Sequence, residues 1–185
     1  DADLGLALAL DARAALRPDL KILVMSATLE ASRVAELLGD APVIASEGRA
    51  YPIETRYLGR RAQRIEDDVV DAVNRTIECD AGSVLVFLPG QGEITRVVDR
   101  LKAANLASSI EVAPLYGALD PATQDRAIVP AQPGRRKIVL ATSIAETSIT
   151  IEGVRVVIDS GLARVPRFEP DVGVTRLETV RVSRA

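Results

Sequence analysis

Hydroxyl side chains are concentrated in one stretch of the chain, between two short apolar runs and just beyond the second. The members of this group are Thr142, Ser143, Thr147, Ser148, Thr150 and Ser160. Hydroxyls and backbone N–H groups donate hydrogen bonds to phosphate oxygens, so this composition suits a nucleotide or a nucleic-acid backbone. The same residues are also typical of a capped strand-to-helix connection that binds no ligand. Composition alone leaves both interpretations open.

The two apolar runs predict the strands that position these hydroxyls. Residues 138–141 have the composition of a buried strand, and residues 154–158 form another run that ends at Asp159. Ser143 and Glu146 have the spacing of a capping box, which predicts one helical turn between the strands. Ligands bind at the carboxyl ends of the strands of an open parallel sheet. The hydroxyls that follow residue 141 are therefore expected at a ligand-binding edge.

Strands alternate with helices along the rest of the chain, which is typical of a parallel sheet covered on both faces. Other apolar runs predict strands at residues 21–25, 43–45, 54–58, 84–88 and 110–113. Helical spacing and composition predict helices at residues 1–16, 30–38, 65–77 and 94–101, and Asp120 and Pro121 begin a further short helix. The turn at residues 170–173 predicts a C-terminal β-hairpin, in a tail with six arginines and four acids between Arg155 and Arg184.

Composition excludes several classes of chemistry. The chain contains no histidine, so histidine-based triads and imidazole acid–base catalysis are excluded within it. Cys79 is the single cysteine, which rules out an internal disulfide and fits a cytoplasmic location. No apolar run approaches the roughly 20 residues of a membrane span, so we expect no membrane partner. The net charge of −3 gives no overall basic footprint for nucleic acid.

The segment ATSIAETSITIEGVRVVIDSG, at residues 141–161, closely resembles motif V of the DEAH-box superfamily 2 helicases. Ser26-Ala27-Thr28 resembles motif III, VLVFLPGQGEI at residues 84–94 resembles motif IV, and PLYGAL at 114–119 resembles the segment after it. The resemblance covers essentially the whole chain and is greatest to the bacterial HrpB-type branch. It implies a RecA-like α/β fold, with a parallel sheet flanked by helices and a C-terminal β-hairpin that separates strands. It also implies an ATP-dependent enzyme that moves along single-stranded RNA.

The resemblance divides the chain between two domains. Residues 1–48 would be the end of a first RecA-like domain, and residues 49–185 most of a second, truncated before motif VI. ATP and Mg²⁺ are the implied cofactors, with the Mg²⁺ ligands outside this chain. None of the twelve glycines precedes a lysine, so the P-loop pattern is absent, as is the histidine of the family's Asp-Glu-x-His box. We therefore expect the chain alone to be inactive as an ATPase.

The resemblance also implies residue roles. Ser26 and Thr28 would be the coupling residues of motif III, which link the ATP state to the second domain, although both also suit a helix N-cap. The nucleotide would be approached by Ser148, Thr150, Glu152 and Ile128. Single-stranded RNA would lie along Gly90, Gln91, Gly117, Thr142 and Thr147, although turn formation alone also explains the two glycines. Such contacts position a strand without reading its sequence.

Three positions depart from the family pattern. Ile128 stands where the family often stacks an aromatic side chain on adenine, which predicts weak base selectivity. Glu152 replaces the usual aspartate that contacts ribose, and Ser143 replaces the usual asparagine. Two other functions stay open: a related ATPase that acts on DNA or on protein–nucleic-acid complexes, and a non-catalytic RecA-like nucleic-acid-binding or scaffold module.

Overall fold

The computed structural model describes residues 2–25, 31–45, 51–59, 64–104, 106–143 and 151–182. The chain divides into two compact units, Asp1–Arg56 and Tyr57–Ala185. The first unit contains helices α1 (Ala2–Ala15) and α2 (Ala31–Leu37), both at predicted positions. None of the described helices combines the length and the apolar character that crossing a membrane requires.

Three predicted strands are wrong. Residues 21–25, 43–45 and 54–58 are irregular rather than strands. A strand exists only where ladder hydrogen bonds join it to a neighbour, and no described residue pairs with these segments. An apolar run is therefore insufficient evidence for a strand, because it says nothing about the partner.

The second unit begins with helix α3 (Ile65–Cys79) and then alternates strands and helices. Its elements continue as β1 (Ser83–Phe87), α4 (Gln91–Ala103), β2 (Ile110–Leu115), α5 (Pro121–Ile128), β3 (Arg136–Ala141) and β4 (Val154–Asp159). The four strands form one parallel sheet in the order β2-β3-β1-β4. The predicted parallel sheet flanked by helices is confirmed.

The predicted C-terminal hairpin is also confirmed. Strands β5 (Leu162–Glu169) and β6 (Val174–Arg181) pair antiparallel as a separate two-stranded sheet. The predicted N-cap of α5 is present too, because the Asp120 carboxylate accepts a hydrogen bond from the Thr123 N–H at 3.0 Å. The predicted capping box of Ser143 and Glu146 is not described, because Glu146 lies outside the described residues.

Strand β3 lies inside the sheet and is buried on both faces. Ile138 and Leu140 belong to a core cluster with apolar residues of α3 and α4. Val139 and Ala141 point the other way, into a cluster that includes Ala127 of α5. Successive side chains of a strand alternate between faces, so a continuous apolar run fills two cores.

Two cationic side chains at the amino end of β3 donate hydrogen bonds to the carboxyl ends of the flanking helices. The Lys137 side chain is 4% exposed, and its Nζ donates to the carbonyl oxygens of Arg126 and Val129 at 2.6 and 2.7 Å. The Arg136 guanidinium donates to the carbonyl oxygen of Ile77 at 2.9 Å. Both cations satisfy carbonyls at helix carboxyl ends, which orients α3 and α5 relative to the central strand.

Candidate nucleic-acid interface

The carboxyl ends of the four parallel strands meet at one edge of the sheet, called here the carboxyl edge. Leu115 in β2 lies beside Ala141 in β3, and Ala141 lies beside Phe87 in β1. Phe87 in turn lies beside Asp159 at the end of β4. Because the strand ends are aligned, the residues that follow them form one continuous row.

Backbone hydrogen bonds extend this row one residue beyond the strands. The Thr142 N–H donates to the Leu115 oxygen at 3.2 Å, and the Leu88 N–H donates to the Ala141 oxygen at 2.8 Å. The Ser160 N–H donates to the Phe87 oxygen at 3.2 Å. These bonds hold Thr142, Leu88 and Ser160, each the first residue after its strand, in register with the sheet.

The structure brings four of the predicted RNA-binding residues to the carboxyl edge. Thr142 directly follows β3 and is half-buried, and Gly117 follows β2 and is exposed. Gly90 lies in the turn after β1 as the N-cap of α4, and Gln91 is the exposed first residue of that helix. The amino end of a helix carries a partial positive charge, which favours phosphate. The edge therefore combines a hydroxyl residue, two glycine turns and a helix amino end.

The predicted nucleotide-binding residues that are described lie elsewhere. Glu152 is exposed just before β4, and the adjacent Gly153 oxygen accepts from the Ser83 N–H at 2.9 Å, at the amino end of β1. Ile128 ends α5 and is half-buried, and the carbonyl oxygen of the next residue, Val129, accepts from Lys137 Nζ at the amino end of β3. Both residues are thus at the opposite end of the sheet from Thr142. Ser26, Thr28, Thr147, Ser148 and Thr150 lie outside the described residues.

A chain of charged side chains runs from α3 to the hairpin beside the carboxyl edge. Arg96 Nε donates to Glu66 Oε1 at 2.5 Å, and Arg96 Nη2 donates to Glu93 Oε1 at 2.8 Å. Arg164 Nη2 from the hairpin reaches the same Glu93 oxygen at 3.4 Å. Arg100 pairs with Asp67 one turn further along α4. No local pattern distinguishes Arg164 from its neighbours, and the excess of arginine in the C-terminal tail is its one signal in the sequence.

A small cleft of about 130 Å³ separates the carboxyl edge from the hairpin. Its lining includes Leu88, Pro89, Ser143, Asp159, Arg164 and Val182. Burying a drug-sized ligand takes roughly 300 Å³ or more, so the cleft suits at most a group the size of a phosphate. Among the described residues, no three His, Cys, Asp or Glu side chains are grouped as metal ligands.

Glu66, at the buried end of this chain of charged side chains, makes the free energy of unfolding depend on pH. Burial by itself raises the pKa of Glu66, whose side chain is 6% exposed, but the hydrogen bond from Arg96 and the nearby positive charges outweigh it. The pKa of Glu66 therefore lies below its ordinary value of 4.5. A carboxyl group whose pKa is lower in the folded chain than in the unfolded chain stabilises the fold at every pH above its unfolded-state pKa. This contribution to the free energy of unfolding is lost as the pH falls through the folded-state pKa.

We therefore expect Glu66→Gln to lower the free energy of unfolding by roughly 1 kcal/mol near pH 7, a modest figure because solvent screens the half-exposed Arg96. The difference from the unmodified chain should shrink at about pH 3.5, where the Glu66 carboxylate of the unfolded chain is protonated. Urea denaturation of both chains at pH 7 and at about pH 3.5 measures this difference in the free energy of unfolding. An equal difference at the two pH values would contradict the assigned role of Glu66.

Similarity to known proteins agrees with this geometry. Residues 68–184 match the family described as the helicase conserved C-terminal domain. The chain is 53% identical over 185 residues to the ATP-dependent RNA helicase HrpB of Escherichia coli (strain K12), covering 100% of this chain and 23% of that protein. It is 40% identical over 184 residues to the probable ATP-dependent RNA helicase DHR2 of Saccharomyces cerevisiae, covering 91% of this chain and 24% of that protein.

A crystal structure of the Escherichia coli DEAH/RHA helicase HrpB superposes with a TM-score of 0.88 at 53% identity, covering 98% of this chain and 23% of that one. The chain thus spans less than a quarter of the length of these relatives. The RecA-like fold and the predicted resemblance to DEAH-box helicases of the HrpB type are confirmed. The chain belongs to the helicase conserved C-terminal domain family.

Proposed function

We propose that this chain is the segment of an ATP-dependent RNA helicase that carries RNA on its second RecA-like domain. Residues 1–48 would end the first such domain and residues 49–185 form most of the second. The parent enzyme would couple ATP hydrolysis to movement along single-stranded RNA and to duplex unwinding. The observation that supports this function is the meeting of Gly90, Gln91, Gly117 and Thr142 at the carboxyl edge. Two relatives whose names include ATP-dependent RNA helicase support the choice of RNA.

The carboxyl edge suits a sugar–phosphate backbone rather than base edges. Gly117 is exposed and leaves the backbone accessible, because it has no side chain that would hold a strand away. Gly90 is buried, and the strand would meet this turn through the exposed Gln91 beside it. Thr142 supplies a hydroxyl, Thr147 would supply a second, and the amino end of α4 supplies N–H groups at Gln91. Contacts of this type position a strand independently of its sequence, as movement along RNA requires.

The nucleotide would lie at the other end of the sheet. Glu152 and Ile128 would contact it together with Ser148 and Thr150, while Ser26 and Thr28 would relay its state. ATP supplies the free energy for movement, and the Mg²⁺ ligands would come from outside this chain. The longer carboxylate of Glu152 and the aliphatic Ile128 favour weak selectivity for the nucleotide base. Without a P-loop in the sequence, the chain alone should hydrolyse no ATP.

The test is a fluorescence-anisotropy titration of this chain with a labelled single-stranded RNA of about twelve nucleotides. We expect measurable binding that weakens as salt rises from about 50 to about 200 mM, because each phosphate contact releases counterions. Three such contacts would give a slope of about −2 in a plot of log affinity against log salt. Competition by DNA of the same sequence compares the two nucleic acids directly.

Absence of RNA binding at the lowest salt would contradict the proposed function. Equal competition by DNA would instead favour the related DNA-acting ATPase. ATP turnover by the chain above that of buffer would contradict its assignment as an incomplete enzyme. Binding without any RNA-stimulated ATP hydrolysis by the parent protein would favour a non-catalytic binding or scaffold module.

A further inference from the structure

The hairpin is not held to the parallel sheet by strand pairing. Strands β5 and β6 pair with each other and with no strand of the parallel sheet. An isolated two-stranded sheet is marginally stable in water, and its orientation depends on the few contacts that it makes outside itself. The contacts that leave the hairpin therefore decide where its tip lies relative to the carboxyl edge.

Two of the hairpin's arginines are engaged inside it. Arg167 Nη1 donates to Glu178 Oε2 at 2.9 Å, and Arg176 Nε lies 3.7 Å from Glu169 Oε2. Arg167 and Arg176 face each other across the strands, so these acids offset a repulsion between like charges. Both pairs hold β5 to β6 and leave the orientation of the hairpin undetermined.

Arg164 makes a side-chain hydrogen bond that leaves the hairpin. Among the described residues, the side-chain hydrogen bond from the hairpin to the α/β unit is the one from Arg164 Nη2 to Glu93 Oε1, at 3.4 Å. The Glu93 side chain is 13% exposed and is also held by Arg96, which in turn is bonded to the buried Glu66. Arg164 thus meets a carboxylate that is already fixed to two helices.

Gly90 provides the space for this contact. A Cβ atom at Gly90 would lie 2.7 Å from Arg164 Nη1 and 2.9 Å from Arg164 Cζ, closer than real Cβ contacts. It would also lie 3.1 Å from Glu93 Oε2. The φ of Gly90 is −170°, extended backbone that any residue adopts. A Cβ at this position would therefore displace the Arg164 guanidinium, the movable end of a long side chain, and would not strain the backbone.

We propose that Gly90 and Glu93 form a seat for the Arg164 guanidinium, and that this seat orients the hairpin relative to the carboxyl edge. Arg164 is then a positioning residue, which acts on RNA through the placement of the hairpin. The value of this arrangement for RNA rests on the proposed function, since the exposed Gln91 next to the seat would contact the strand while the hairpin meets that strand at a fixed angle. The seat itself is a property of the fold.

The orientation can be measured with two spin labels on the 185-residue chain. One label uses the native Cys79, which is exposed at the end of α3, and the other uses Asp171→Cys in the hairpin turn. Double electron–electron resonance should give a narrow distance distribution with the seat intact. Arg164→Ala should at least double the width of this distribution. Arg167→Ala should leave both the width and the mean distance unchanged, because the hydrogen bond of Arg167 lies within the hairpin.

A double-mutant cycle separates the seat from other roles of Gly90. Gly90→Ala should broaden the distribution in the unmodified chain and add nothing in the Arg164→Ala background, where no guanidinium remains to be displaced. An Arg164→Ala distribution as narrow as the original would overturn the proposal, and so would a full effect of Gly90→Ala in that background. If Arg164→Ala does not fold, Arg164→Lys carries the same test, because it keeps the charge and loses the planar fork.

RNA titration of the same variants distinguishes the two hypotheses. With the seat and the proposed function both correct, Arg164→Ala broadens the label distances and changes the affinity for single-stranded RNA by less than about threefold, since few phosphate contacts are lost. Broadened distances in a chain that binds no RNA would leave the seat standing and refute the function. A tenfold loss of affinity with unchanged distances would make Arg164 an RNA contact and overturn the seat.

Discussion

Replacing Thr142 by glutamate is expected to weaken binding of single-stranded RNA by roughly tenfold or more. Thr142 is half-buried at the carboxyl edge, where its N–H is already bonded to Leu115, so the new carboxylate cannot move far from the row. Two negative charges about 4 Å apart repel by about 1 kcal/mol in water and by several times that near a protein surface. About 1.4 kcal/mol corresponds to a tenfold change in affinity. Anisotropy titration with the RNA used above measures the effect.

The matched control places the same charge at the opposite end of the sheet. Ser109 is exposed directly before β2, so Ser109→Glu changes the net charge equally without approaching the carboxyl edge. We expect it to change RNA affinity by less than about twofold, as for a distant charge screened by salt. Thr142→Val, which removes only the hydroxyl, should cost roughly two- to tenfold. Equal weakening by the two glutamates would show that net charge alone matters, and would remove Thr142 from the interface.

Replacing Leu140 by alanine is expected to lower the free energy of unfolding by about 3 kcal/mol, within the usual range of about 2–5 kcal/mol. Leu140 is 0% exposed in β3, inside the sheet, and packs in the cluster with α3 and α4. The loss combines the transfer of the removed methyl groups with the cavity that rigid neighbours leave unfilled. Urea denaturation followed by circular dichroism measures it.

Leu177 in β6 offers a control with the same substitution. Its side chain is 67% exposed in the hairpin, so Leu177→Ala removes little buried surface and should cost less than about 0.5 kcal/mol. If the two variants lost similar stability, β3 would not be the packed centre of the unit. The alignment of strand ends that builds the carboxyl edge would then lack its support.

Local sequence patterns were sufficient for the elements of the second unit. The stripe of apolar residues four apart predicted α3, and the apolar runs predicted β1 to β4, because each pattern reflects periodicity within a single element. Asp120 and Pro121 marked the start of α5, and the Pro-Asp-Val-Gly turn marked the hairpin. The motif V segment was long enough to indicate the family without any structure. The wrongly predicted strand at residues 21–25 shows the limit of local patterns, since a strand forms only when a second segment pairs with it.

Long-range arrangement was decided by the tertiary structure. The strand order β2-β3-β1-β4 is not the chain order, so nothing local reveals that Gly90, Gly117 and Thr142 meet at one edge. Local sequence also does not reveal that Glu152 and Ile128 lie at the amino end of the sheet, opposite the carboxyl edge. Arg164 and Glu93 are 71 residues apart, and their contact depends on how the hairpin leaves β4. Residue types and periodicity specify which elements form, whereas contacts between them follow from the packing of two faces and the register of four strands.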